Sequence, residues 1–115
     1  MSNKAEIFVR FTFAGFHRWE GAPAHRSYLA TRHRHLFGVE VKCLVNNDDR
    51  EIEFHDLLDE SKNFFNESER GNQSCEMMAR ALGEYLAKHY QRIFTVIVSE
   101  DGECGAQVVT NHVLP

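Results

Sequence analysis

From residue 6 to residue 17 the chain alternates. Ile7, Val9, Phe11 and Phe13 carry the apolar phase, with Arg10 and Thr12 between them. A period of two predicts a strand with one buried face. The same phase continues through Gly15 to His17, which places His17 on the apolar side at the strand's end.

Between residues 18 and 31 the alternation stops and Gly21, Pro23, Ser27 and Thr31 predict a loop, with Trp19 and Tyr28 as its large anchors. Loops held by rigid elements often carry function. A second strand is predicted over 33–45. His33, His35, Phe37, Val39, Val41, Cys43 and Val45 share one face, and Arg34, Glu40 and Lys42 share the other. Asn46 to Asp49 is a turn cluster.

The period then changes. Phe54, Leu57, Leu58, Ser61 and Phe65 stand at helical spacing, which predicts a helix over 54–64 and a polar loop over Asn66–Gln73. Ser74 is placed as the N-cap of a second helix reaching about residue 90. Its inner face is read as Met77, Met78, Ala81, Leu82, Tyr85, Leu86 and His89, with the methionines as core packing. Ile93 to Glu100 is rich in strand formers. Asp101-Gly102 signals a turn, and Gly105 to Val109 or beyond forms a last strand.

The order is ββααββ. It predicts one α+β domain over residues 1–115, an antiparallel four-stranded sheet with both helices on one face. An open sheet has two edges that must be blunted, covered or paired, and pairing makes an oligomer.

Composition narrows the function. With 43% hydrophobic and 26% charged residues the balance is that of a folded domain rather than a disordered chain. The net charge of −4 and the lack of a basic stripe argue against a nucleic-acid partner. Arg32 and Arg34 form a local basic spot that suits an anionic small molecule. No apolar stretch is long enough to span a membrane, and the first residues lack the apolar core of a signal peptide. Cys43, Cys75 and Cys104 have no framework spacing and suggest reduced thiols in a cytoplasmic compartment.

Chemistry concentrates in His33-Arg34-His35. Residues two apart on a strand point to one side, so both imidazoles can meet one ion, and His17 on the neighbouring strand offers a third nitrogen. Three nitrogens and an open fourth position describe a catalytic zinc site. The bland alternative is three unrelated histidines on a half-buried face, in a chain holding seven histidines. His25, His55, His89 and His112 are expected at the surface or in structural roles. Glu100 continues the phase of Phe94, Val96 and Val98. At a strand end its carboxylate can pair with the N–H edge of a heterocycle, or can be a solvated turn acid beside Asp101 and Glu103. Cys75, at a helix start, is a candidate for a lowered thiol pKa. Nothing in the sequence brings it near the histidines.

Five segments in order, Phe11-Thr-Phe-Ala-Gly-Phe-His17-Arg, His33-Arg-His35-Leu-Phe-Gly-Val-Glu-Val, Glu53-Phe-His-Asp-Leu57, Asn72-Gln-Ser-Cys-Glu76 and Val98-Ser-Glu100, resemble the 6-pyruvoyl-tetrahydropterin synthase and 6-carboxytetrahydropterin synthase family of T-fold proteins. The resemblance implies zinc on His17, His33 and His35 and a pterin ring anchored by Glu100. It further implies sheets closed into a trimeric barrel, stacked into a hexamer, with active sites between subunits. The implied substrate is 7,8-dihydroneopterin triphosphate, in lyase-type chemistry of pterin and queuosine or other 7-deazaguanine synthesis. Two departures stand out. Leu29 occupies the position of the family's catalytic cysteine, and Ser61 and Lys62 match the positions of its Asp-His relay. The first helix is also about two turns shorter than the family's. Glu20, His25, Ser27 or Tyr28 could supply replacement groups, and the catalytic residues stay open. The alternatives are an inactive T-fold that binds a pterin- or purine-like ligand, or an oligomeric structural domain with incidental histidines.

Overall fold

A computed structural model describes residues 4–111. β1 (Ala5–His17) and β2 (His33–Val45) form a long antiparallel hairpin, and β3 (Phe94–Glu100) and β4 (Cys104–Thr110) form a shorter one. β2 pairs antiparallel with β3, so the sheet order is β1-β2-β3-β4. Between the hairpins lie α1 (Phe54–Phe64) and α2 (Cys75–Tyr90). Both helices pack on the same face, α1 against β1 and α2 against β3 and β4. The α+β arrangement with a four-stranded antiparallel sheet is therefore as the periodicity predicts.

The inward phase of each strand builds the core. Phe37, Val41, Phe94, Val96 and Val98 are fully buried, and Leu57, Met78, Leu82 and Leu86 meet them from the helices. The faces of the helices differ from expectation. α2 buries Cys75, Met78, Ala79, Leu82, Gly83, Leu86 and Ala87, whereas Met77, Tyr85 and His89 are exposed. The small residues Ala79, Gly83 and Ala87 let the helix lie close to the sheet, so the inner face turns toward them. Tyr85 instead donates its hydroxyl hydrogen to Glu60 on α1 at 2.7 Å. On α1, Leu57 and Ser61 face the core and Phe54 is exposed.

Ser74 caps α2 as predicted, its Oγ accepting from the Met77 N–H at 3.1 Å. The helix ends at Gln91 in the left-handed conformation, φ 61°. One element escaped the sequence reading: the loop after β1 contains a 3₁₀ segment, Ala24–Ala30, kinked at Arg26. Among the described residues no helix is long and apolar enough to cross a membrane.

Among the described residues no helix covers the other face of the sheet. Phe8, Leu36, Leu44 and Val109 are exposed there, beside an Arg10–Glu40–Lys42 charge cluster. β1 and β4 are the open edges.

Candidate metal centre

The site begins with register. In the β1–β2 ladder His17 stands directly opposite His33, and Gly15 stands opposite His35. Opposed side chains on one face have Cβ atoms about 4.5–5.5 Å apart, and residues two along a strand share that face. The three imidazoles thus form a triangle, with ring centroids 4.6 Å apart for His17–His33, 5.1 Å for His17–His35 and 4.8 Å for His33–His35. The rings are steeply inclined to one another, at 70°, 81° and 83°. Phe37 lies beneath, its ring 5.2 Å from that of His17 and 5.6 Å from that of His35. Candidate ligand nitrogens from the three side chains lie within 4.8 Å of one another.

Each ring is held by its other nitrogen. Nδ1 of His17 is 2.7 Å from the Gln73 carbonyl oxygen, Nδ1 of His33 is 2.8 Å from the Thr31 carbonyl oxygen, and Nδ1 of His35 is 2.7 Å from Asp101 Oδ2. All three partners only accept, because a carbonyl and an ionised carboxylate have no proton to give. Every Nδ1 is therefore an N–H donor, so in the neutral ring that a metal requires the lone pair lies on Nε2. The Nε2 atoms of His17 and His35 are buried with no hydrogen-bond partner among the described residues. Orphaned buried nitrogens with fixed tautomers are what a metal-binding histidine presents, its second nitrogen oriented by an outer partner. These residues fit a divalent cation.

Two of the three supports come from distant parts of the chain. The segment holding Gln73 docks along the end of β1 through Phe16 N–H to Ser68 O and Arg70 N–H to Phe16 O, each 2.8 Å. Arg32 pairs with Glu69 across the same seam and lies over the Phe16 ring, 3.7 Å from its centroid. Asp101 sits in the β3–β4 turn with φ 56°, followed by Gly102 at φ 72°. Its second oxygen accepts the Leu36 N–H at 2.9 Å. That hydrogen bond and the one with His35 hold its carboxyl below the usual range.

Glu100 does not lie out in solvent as a turn acid. Its Oε2 is 3.2 Å from His17 Nε2 and its Oε1 is 3.7 Å from His35 Nε2. The sequence phase thus correctly aims it inward. A cavity of about 550 Å³ opens beside it, lined by His17, His33 and Glu100 together with Trp19, Leu29 and Cys75. That volume suits a small-molecule ligand.

Compared with known families the sequence matches no family model, and it matches none of the curated proteins. The case for function therefore stands on the geometry.

Several sequence expectations change here. Cys75 does line the cavity, alongside Cys104, Glu76 and Met77. Its thiol is not activated by the helix start. Burial, helped by the charges of Glu100 and Glu76, pushes it up to about 12. Desolvation outweighs the helix dipole because the residue is buried. Glu20, His25, Ser27 and Tyr28 are not among the residues lining the cavity, and the loop presents Trp19 and Leu29 to it instead. Ser61 is buried in the core and Lys62 is exposed, and neither reaches the cavity. His25, His55 and His89 are exposed, while His112 lies outside the described residues. Asp101 was legible only as a turn former. Its place directly after Glu100, at a hairpin facing the His-x-His strand, was the available signal.

Proposed function

We propose that this protein is a zinc-dependent, tetrahydropterin synthase-like member of the T-fold group, acting on 7,8-dihydroneopterin triphosphate or a related pterin. One observation carries the reading: three clustered histidines, with candidate ligand nitrogens within 4.8 Å of one another, stand beside an inward carboxylate, Glu100, at the wall of a ligand-sized cavity. The ordered motifs that resemble the family supply these same four residues.

His17, His33 and His35 would hold the ion, and the Gln73 and Thr31 carbonyls and Asp101 would keep their tautomers fixed. A bound zinc supplies Lewis acidity toward a carbonyl or hydroxyl oxygen of the ligand. Glu100 accepts the N–H edge of the ring through two hydrogen bonds. Trp19 and Leu29 form apolar walls that exclude water from the ring. Oligomerisation into a trimeric barrel, doubled to a hexamer, agrees with the bare sheet face and the two open edges, which leave Phe8, Leu36, Leu44 and Val109 uncovered in the single chain.

A second reading has its own support. Leu29 faces the cavity with a side chain that cannot carry a proton, and Cys75 is held as a neutral thiol. These favour a pterin- or purine-binding T-fold without the family's turnover. General acid–base groups typically contribute factors of ~10²–10⁴ in rate, so their loss separates the readings clearly. Zinc-loaded protein is incubated with 7,8-dihydroneopterin triphosphate, while pterin binding is followed by quenching of Trp19, the sole tryptophan. Turnover supports the synthase reading, and binding without turnover supports the second. No binding by zinc-loaded protein removes the pterin from both.

A further inference from the structure

We propose that Glu100 is itself a metal ligand, closing the fourth position of the three-histidine centre while no organic ligand is bound. This rests on the metal-centre reading above and adds to it a switch in what the carboxylate holds.

Glu100 and the ligating form of the imidazoles meet acceptor to acceptor. The three Nδ1 bonds to carbonyl and carboxylate oxygens make Nε2 an acceptor in each neutral ring. A carboxylate oxygen is also an acceptor. Yet Glu100 Oε2 faces His17 Nε2 at 3.2 Å, and Oε1 faces His35 Nε2 at 3.7 Å. In the neutral, ligating form of the rings lone pair faces lone pair at this range, and the His17 and His35 nitrogens are buried away from water that could intervene. A cation shared by all of them removes the conflict.

The spacing fits such sharing. With zinc–nitrogen and zinc–oxygen bonds of about 2.0–2.2 Å, adjacent ligand atoms of a tetrahedron are about 3.3–3.6 Å apart. The Glu100–His17 separation is close to that edge, and the carboxylate lies on the His17–His35 side of the triangle. The backbone holds Glu100 in place: it pairs with Phe37 on β2, two residues from His35, and its carbonyl accepts the Glu103 N–H at 3.0 Å.

A closed four-ligand set is the pattern of a structural zinc site, and a three-ligand set with an exchangeable position is the pattern of a catalytic one. Glu100 can alternate between the two. Without ligand it occupies the ion. When a heterocycle with an amide- or amidine-like N–H edge enters the cavity, the carboxylate turns to that edge and frees the position for a ligand oxygen.

The test uses cobalt(II) in place of zinc in the full-length protein, because its visible absorption reports ligand number and type. Unmodified protein should show the spectrum of a four-coordinate centre, and Glu100→Gln should change it and weaken cobalt binding at least ~10-fold. Glu100→Asp keeps the charge but shortens the reach, so it should also shift the spectrum. Circular dichroism establishes that each variant is folded. A zinc-minus-apo infrared difference spectrum of unmodified protein, showing a carboxylate stretch moved by the metal, tests the same point without mutation. Unchanged cobalt spectra and affinity in both variants, with binding lost in His35→Ala, would overturn the fourth-ligand proposal and leave the three-histidine centre standing. Failure of unmodified protein to bind cobalt or zinc would overturn both.

Discussion

Nδ1 of His35 and Oδ2 of Asp101 lie 2.7 Å apart although the residues are 66 positions apart in the chain. Asp101 fixes the tautomer and the tilt of His35, and it holds the β3–β4 turn against β2 through the Leu36 N–H. A turn acid thus joins the histidine cluster to the second hairpin.

The pair gives a direct expectation for Asp101→Asn. Asparagine tolerates the left-handed backbone, so the turn should persist. Its carboxamide is a poorer acceptor for His35 Nδ1–H. Outer partners of this kind typically contribute ~10–100-fold to metal affinity. A zinc competition titration should show a loss in that range, with unchanged circular dichroism. Unaltered affinity would mean that Asp101 serves the turn alone.

The metal itself is tested by content. Purified protein should carry about one zinc per chain, and His35→Ala should lose it. Elemental analysis decides. The same zinc content in the variant would remove His35 from the ligand set.

Assembly is the third expectation. Open edges on β1 and β4 and the uncovered apolar face should be buried between copies. Light scattering at micromolar concentration should give a multiple of three chains. A monomer would argue against a barrel shared between subunits.

Gly83 carries a packing prediction. A Cβ there would lie 2.5 Å from Thr110 Oγ1 and 3.1 Å from its Cγ2, where α2 crosses β4. Alanine favours a helix over glycine by roughly 0.5–1 kcal/mol, but overpacking costs roughly 1–3 kcal/mol. Gly83→Ala should therefore destabilise. Combining it with Thr110→Ala should restore stability, because the second change removes both the obstructing atoms and a buried hydroxyl with no partner. Urea midpoints of the two variants make the comparison, and a stabilised single variant would contradict the close approach.

Cys75 predicts a pH dependence. Its folded pKa is raised to about 12 from an unfolded value near ~8.5. The neutral thiol is thus favoured by the folded state. Its contribution to stability is complete below pH ~8.5 and is lost as pH rises toward 12. In folded protein at pH 8, iodoacetamide should label exposed Cys104 and spare Cys75, as mapped by mass spectrometry. Equal labelling rates would show that the helix start, not burial, sets the thiol.

The sequence by itself determined the elements and which side of the sheet each residue faces. A period of two forces alternate residues to opposite faces, so the phase that buries Val9 and Phe37 also turns His17, His33 and His35 inward. The same local rule placed Glu100 on the inner side, and capping preference placed Ser74 at the start of α2. It could not orient the helices. Which stripe of α2 lies against the sheet depended on how closely Ala79, Gly83 and Ala87 let it approach, and that displaced Met77 to the cavity wall.

Only the tertiary structure decided what surrounds the histidines. The Gln73 and Thr31 carbonyls are backbone atoms, which no residue type announces, and Asp101 reaches His35 only because β3 pairs with β2 in one register. Cys75 and Leu29 meet at one cavity because α2 and the loop after β1 converge over the same sheet end. Periodicity acts over a few neighbouring residues. The tautomers of His17 and His35, the thiol pKa of Cys75 and the cavity walls follow from groups tens of residues apart, brought together when the strands pair and the core closes.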